Sequence, residues 1–207
     1  MDGHFAGAKR TLELLTYVFD TTPIDVMTWW FLSTENLKKR SPEEIAFICH
    51  IFQKLGDDAD TTLEKHRVNF RWVGNRQGLP EDFVTYLDAK AEKFTYPESP
   101  KTAVFALNYG GRDEIVRAVQ WLSNQEIATL TEESLWSAMD FGAFPPLDMV
   151  IRTKGDVARR TSGFMAWWIG YAELFFSAML YPDFDEHALQ DAFSRYDSIA
   201  DQRNFGT

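Results

Sequence analysis

Four short runs of apolar or alternating residues, each separated from the next by a helical pattern, leave few folds open to this chain. Val26 to Leu32 (VMTWWFL), Thr102 to Leu107 (TAVFAL) and Leu147 to Ile151 (LDMVI) are mostly apolar, and the first is rich in β-formers. Runs of that length and composition suit strands buried on both faces. Val68 to Val73 alternates apolar and polar residues and reads as a further strand. Between them, Phe5 to Phe19 places Leu12, Leu15, Val18 and Phe19 on one side of a helix. Ser41-Pro42-Glu43-Glu44 supplies an N-cap, a first-turn proline and a capping-box acid. That helix is expected to break near Gly56 and resume from Asp57 to His66. Further helices are predicted over Pro80 to Phe94, Asp113 to Leu122, Thr131 to Met139 and Glu186 to Asp201. Strands alternating with helices specify an α/β fold, with a mainly parallel central sheet flanked by helices. We read residues 1–207 as one domain.

Bulk properties narrow the function. The formal net charge of −10 opposes general association with nucleic acid, so no nucleic-acid partner is expected. Cys49 is the sole cysteine and Met1 to Arg10 lacks an apolar signal core, so a reducing, cytoplasmic setting is expected. Phe164 to Tyr181 approaches the length of a membrane span, but it holds Glu173 and runs into Pro182. It reads better as a core helix.

In open α/β sheets ligands gather beyond the carboxyl ends of the strands. Two loops there carry reactive groups. Ser33 to Arg40 follows the first strand as a polar loop. Arg152, Arg159 and Arg160 follow the last one, ahead of Ser162 and Gly163, where an N-cap and a buried helix are expected. Guanidiniums beside a helix N-terminus suit phosphate, although a solvated basic loop would show the same residues. Glu173, inside the expected helix, needs a partner, either an arginine or a metal ion. Asn108 to Arg112 adds a Gly110-Gly111 turn suited to close backbone approach. A nucleophilic triad, a Cys/His cage and a P-loop are not visible in the sequence. The set suits diphosphate binding and stabilisation of a leaving group.

Leu32 to Asn36 (LSTEN), Leu107 to Val119 (LNYGGRDEIVRAV), Asp148 to Asp156 (DMVIRTKGD) and SGFMAWWIGYAELFF with YPDFDE resemble the cis-prenyltransferases. This is the undecaprenyl diphosphate synthase family. The likeness runs in order from about His4 to Gly206. It implies a homodimeric enzyme, in peripheral contact with membrane lipids, that adds isopentenyl diphosphate to an allylic diphosphate with Mg²⁺ assistance. By this resemblance Arg152, Arg160 and Ser162 hold isopentenyl diphosphate, with Arg159 beside them. Glu173 binds Mg²⁺ across the dimer interface. Ser33, Glu35 and Asn36 handle the condensing proton, with Asn36 at the position often called the acceptor. His4 lies near the allylic diphosphate, and Leu37, Lys39 and Arg40 stand where the family has an aromatic residue and an arginine.

The sequence also departs from the pattern. The family begins with a strand ending in an HxMDGNxRWA motif, whose aspartate is the central Mg²⁺ ligand. Here MDG passes directly to HFAGAKR, so either Asp2 is that aspartate with a deletion after it or Met1 to Gly3 is an unrelated start, and a gap in the sequence is expected before His4. Loss of a strand and a packed helix would cost a large part of a margin of about 5–15 kcal/mol. The arginine loop is longer than usual, and Gln202 to Gly206 lacks the expected arginine-rich end. The bulky Trp29-Trp30-Phe31 run implies a short or medium product. The competing expectation is a non-catalytic or degenerate subunit of a prenyltransferase complex.

Overall fold

A computed structural model describes residues 2–125, 129–157 and 159–199. Three parallel strands form one sheet in the order β1 (Val26–Ser33), β3 (Thr102–Tyr109), β2 (Asn69–Val73). A second parallel pair joins β4 (Met149–Arg152) to β5 (Glu173–Phe176). The helices are α1 (Asp2–Thr21), α2 (Thr34–Lys39), α3 (Pro42–Lys65), α4 (Glu81–Lys93), α5 (Gly111–Asn124), α6 (Glu132–Ala138) and α7 (Glu186–Ser198). The expected α/β class, parallel pairing and four strands are all present. The sheet, however, is divided in two.

β3 is buried along its whole length and sorts its side chains by period two. Ala103, Phe105 and Leu107 face a core built with α1, α3, α4 and α7, while Val104 and Ala106 face a second core built with α5, α6 and residues 164–169. In the first core Phe105 stacks between Trp29 and Phe70, with ring centroids 5.4 and 5.1 Å away, and meets Phe52 edge-on at 5.3 Å.

Three local expectations are corrected. α3 runs unbroken through Gly56, because one interior glycine costs a helix only about 1 kcal/mol. Glycine is favoured there because a Cβ would lie 2.4 Å from the Tyr86 hydroxyl oxygen. Residues 34–39 form a short helix instead of a loop, capped by Ser33. The expected late helix is absent: residues 162–167 are turns, Trp168–Gly170 is a single 3₁₀ turn, and β5 follows. Among the described residues no helix is long and apolar enough to cross a membrane. α7 ends at Ser198; the expected extension to Asp201 and the 202–206 segment lie outside the described residues.

Candidate active site

Because β1, β2 and β3 are parallel, Ser33, Val73 and Tyr109 all end at one sheet edge. The loops beyond them converge on the glycine pair of the β3–α5 turn. A Cβ on Gly110 would stand 2.7 Å from Thr34 Oγ1, so α2 seats directly on it. A Cβ on Gly111 would stand 2.4 Å from the Ala166 backbone nitrogen and 2.8 Å from the Gly163 oxygen. The Gly111 N–H also donates to that Gly163 oxygen at 2.9 Å. The close approach read from the two glycines therefore has two occupants, one from each reactive loop.

On the first loop, Ser33 Oγ accepts from the Asn36 N–H at 3.0 Å and caps α2. Glu35 and Asn36 are exposed in the first turn, whereas Leu37 is half-buried against the core and under Gly78. Lys39 is exposed, and Arg40 ends α2 with its N–H on the Asn36 carbonyl at 3.0 Å. Arg40 Nη1 lies 3.4 Å from His4 Nε2. A guanidinium only donates, so that ring nitrogen accepts and His4 is neutral. Partial burial and then the Arg40 charge lower the His4 pKa in agreement. The start of α1 and the end of α2 thus meet. Asp2 is the first residue of α1, and its side chain lies outside the described residues.

On the second loop, Arg152 closes β4 with its Nε buried and without a hydrogen-bond partner among the described residues. Such a donor suits an incoming anion. Beyond it Gly155 is forced by contact, since a Cβ would lie 2.8 Å from Phe176 Cβ. Arg159, Arg160 and Ser162 are exposed. Ser162 is not an N-cap: its φ is 54°, and Gly163 and Met165 follow at 83° and 50°. The turn instead meets the N-terminus of α5, through the Gly111 N–H on the Gly163 carbonyl.

Glu173 is also relocated. It is a half-buried residue opening β5, and not a buried acid inside a helix. In the β4–β5 ladder Met149 pairs with Glu173 and Arg152 with Phe176, so Arg152 and Glu173 lie at opposite ends. Three strand steps separate them by about 10 Å. The same chain does not bring them together. Among the described residues no group of three or more His, Cys, Asp or Glu side chains could hold a metal ion.

Two buried polar residues escaped the sequence reading. Asn108, at a φ of 48°, donates its side-chain N–H groups to the Asn75 and Gln77 carbonyls at 2.8 and 2.9 Å, tying the β2 loop to the site. Glu114 is 1% exposed and accepts three hydrogen bonds. The only signal for Asn108 was its place beside a glycine pair. Glu114 resembled an ordinary first-turn acid.

A family model described as putative undecaprenyl diphosphate synthase matches residues 1–206. An isoprenyl transferase of Treponema denticola is 33% identical over 194 residues, covering 94% of this chain and 83% of that protein. The crystal structure of a probable undecaprenyl diphosphate synthase from Campylobacter jejuni has a TM-score of 0.81 at 28% identity, covering 98% of this chain and 92% of that one. Lavandulyl diphosphate synthase from Lavandula x intermedia, crystallised with dimethylallyl diphosphate, shares the fold with a TM-score of 0.85 at 23% identity, covering 94% and 85%.

Proposed function

The chain belongs to the undecaprenyl diphosphate synthase family of cis-prenyltransferases, and we propose from this how its two loops share the condensation of isopentenyl diphosphate with an allylic diphosphate. The observation that carries the proposal is the junction at Gly110-Gly111, where α2 and the 162–166 turn are seated side by side. Arg152, Arg160 and Ser162 take the isopentenyl diphosphate, Arg152 through an Nε that has no partner among the described residues. His4, Lys39 and Arg40 line the allylic side, where His4 and Arg40 already touch. The isopentenyl double bond then attacks the allylic carbon, and the carbon–oxygen bond to the departing diphosphate breaks. A proton is lost toward the first turn of α2, where Ser33, Glu35 and Asn36 stand. Catalysis is mostly positioning and charge stabilisation.

Mg²⁺ sites commonly combine one or two carboxylates with substrate phosphates, and a bound Mg²⁺ would neutralise charge on the leaving diphosphate. Glu173 fits that role as a half-buried carboxylate at a strand end, with Asp2 the second candidate. Its distance from Arg152 along the ladder supports supply from a second copy, within a homodimer. Product length follows from the space between sheet and helices. There Trp29, Phe31, Phe52 and Phe105 stack or meet edge-on, and this aromatic filling supports a short or medium chain. Chromatography of the extracted product of labelled isopentenyl diphosphate and farnesyl diphosphate should give such a chain. A product of undecaprenyl length would refute the length assignment, and no product would refute the function.

A further inference from the structure

We propose that Glu114 is a positioning residue for isopentenyl diphosphate: through Trp168 it fixes the turn that presents Ser162. This rests on the assignment of Arg152, Arg160 and Ser162 to that substrate.

The turn needs holding. Ser162 and Met165 both lie in the left-handed region, which costs a side chain conformational energy unless surrounding structure imposes it. Two restraints reach the turn from the first turn of α5. Its near end is held by the Gly111 N–H on the Gly163 carbonyl, with no room for a side chain at Gly111. Its far end is held by Glu114, three residues on, whose Oε2 accepts from Trp168 Nε1 at 3.2 Å. Between them the turn closes on itself, the Trp168 N–H donating to the Met165 carbonyl at 2.9 Å.

Glu114 is itself fixed. Its Oε2 also accepts from the Tyr109 hydroxyl at 2.6 Å, and its Oε1 accepts from the Phe141 N–H at 3.2 Å. Trp168 is pinned by Trp136, edge-on at 4.5 Å. Burial raises the Glu114 pKa, and hydrogen bonds from Tyr109 and Trp168 oppose that rise. A buried carboxylate with three donors from three segments is a costly way to fill a core. What distinguishes this one is that one donor belongs to the substrate turn.

That difference gives the test. Trp168→Phe and Tyr109→Phe each remove one neutral donor to the same carboxylate and leave an aromatic ring in place, the first a smaller one than the indole, but only the first releases the turn. Isopentenyl diphosphate binding is measured by direct titration, together with KM for each substrate and kcat, on the full chain. For Trp168→Phe, Kd and KM for isopentenyl diphosphate should rise about tenfold, with KM for the allylic diphosphate unchanged. Tyr109→Phe, which opens no comparable cavity, should lower the melting temperature less and leave isopentenyl diphosphate binding within about twofold. Unchanged binding in Trp168→Phe, or an equal rise in both variants, would overturn the positioning role. No binding by the unmodified chain would instead overturn the site assignment, and this inference with it.

Discussion

Replacing Arg152 with alanine should lower kcat/KM for isopentenyl diphosphate by about 10²–10³-fold, with no matching loss of stability. The guanidinium closes β4, and its Nε is buried without a partner among the described residues. Removing it therefore breaks no internal hydrogen bond at that nitrogen and relieves an unsatisfied donor. What disappears is a charge-assisted contact to the diphosphate. Arg152→Lys should recover only part of the loss, since an ammonium cannot reproduce the fork geometry. The same variant can report on Glu173. If each site combines Arg152 of one copy with Glu173 of the other, mixing the inactive Arg152→Ala and Glu173→Ala chains builds hybrid dimers with one intact site. Statistical exchange should then restore about a quarter of the unmodified activity. Lack of recovery, in a mixture shown to exchange, would place both groups in one copy's site and contradict the ladder geometry.

The second large effect concerns stability. Lys90 is 5% exposed on α4, and its ammonium pairs with Asp60 of α3, with Asp57 at 3.7 Å. Lys93 also reaches Asp60, at 2.6 Å. Burial pushes the Asp60 carboxyl up, but hydrogen bonds and charges from Lys90 and Lys93 outweigh it and hold the pKa below the usual aspartate value. A depressed folded pKa contributes stability above the unfolded value of about 3.9, and that contribution is lost as pH falls through the folded pKa. Asp60→Asn removes the nearest negative charge from the buried ammonium and leaves the more distant Asp57 as its carboxylate partner among the described residues. It should lose about 2–3 kcal/mol at neutral pH, or about 5–10 °C in melting temperature. Thermal melts as a function of pH should show the gap to the unmodified protein closing below about pH 4. A gap that stays constant would mean the pair contributes nothing through charge.

The strands were legible from length and flanking residues. VMTWWFL is rich in β-formers, and TAVFAL lies between the Pro97 to Pro100 loop and the Gly110-Gly111 turn; they became β1 and β3. Helix starts were equally clear where a cap announced them, as with the Ser41 capping box of α3. The stretch after Ser162 was not legible. A continuous apolar run looks the same as a buried helix or as turns leading into a strand, and nothing local reveals that Ser162 and Met165 take positive φ. That conformation is imposed from α5, at long sequence separation. The same holds for the site. Ser33 to Asn36 and the arginine loop could be recognised from their residue types. Their meeting place could not, because it depends on where two missing Cβ atoms leave room. Glu114 was hidden by its setting: GRDEIV offers acids suited to a solvated first turn, and only the fold carries one of them inward.

The most direct measurement is incorporation of labelled isopentenyl diphosphate into extractable prenyl product by the purified chain, with an allylic diphosphate, in Mg²⁺ and again in excess chelator. Incorporation that requires both substrates and is abolished by chelation is the expected result. No incorporation under any of these conditions would contradict the account.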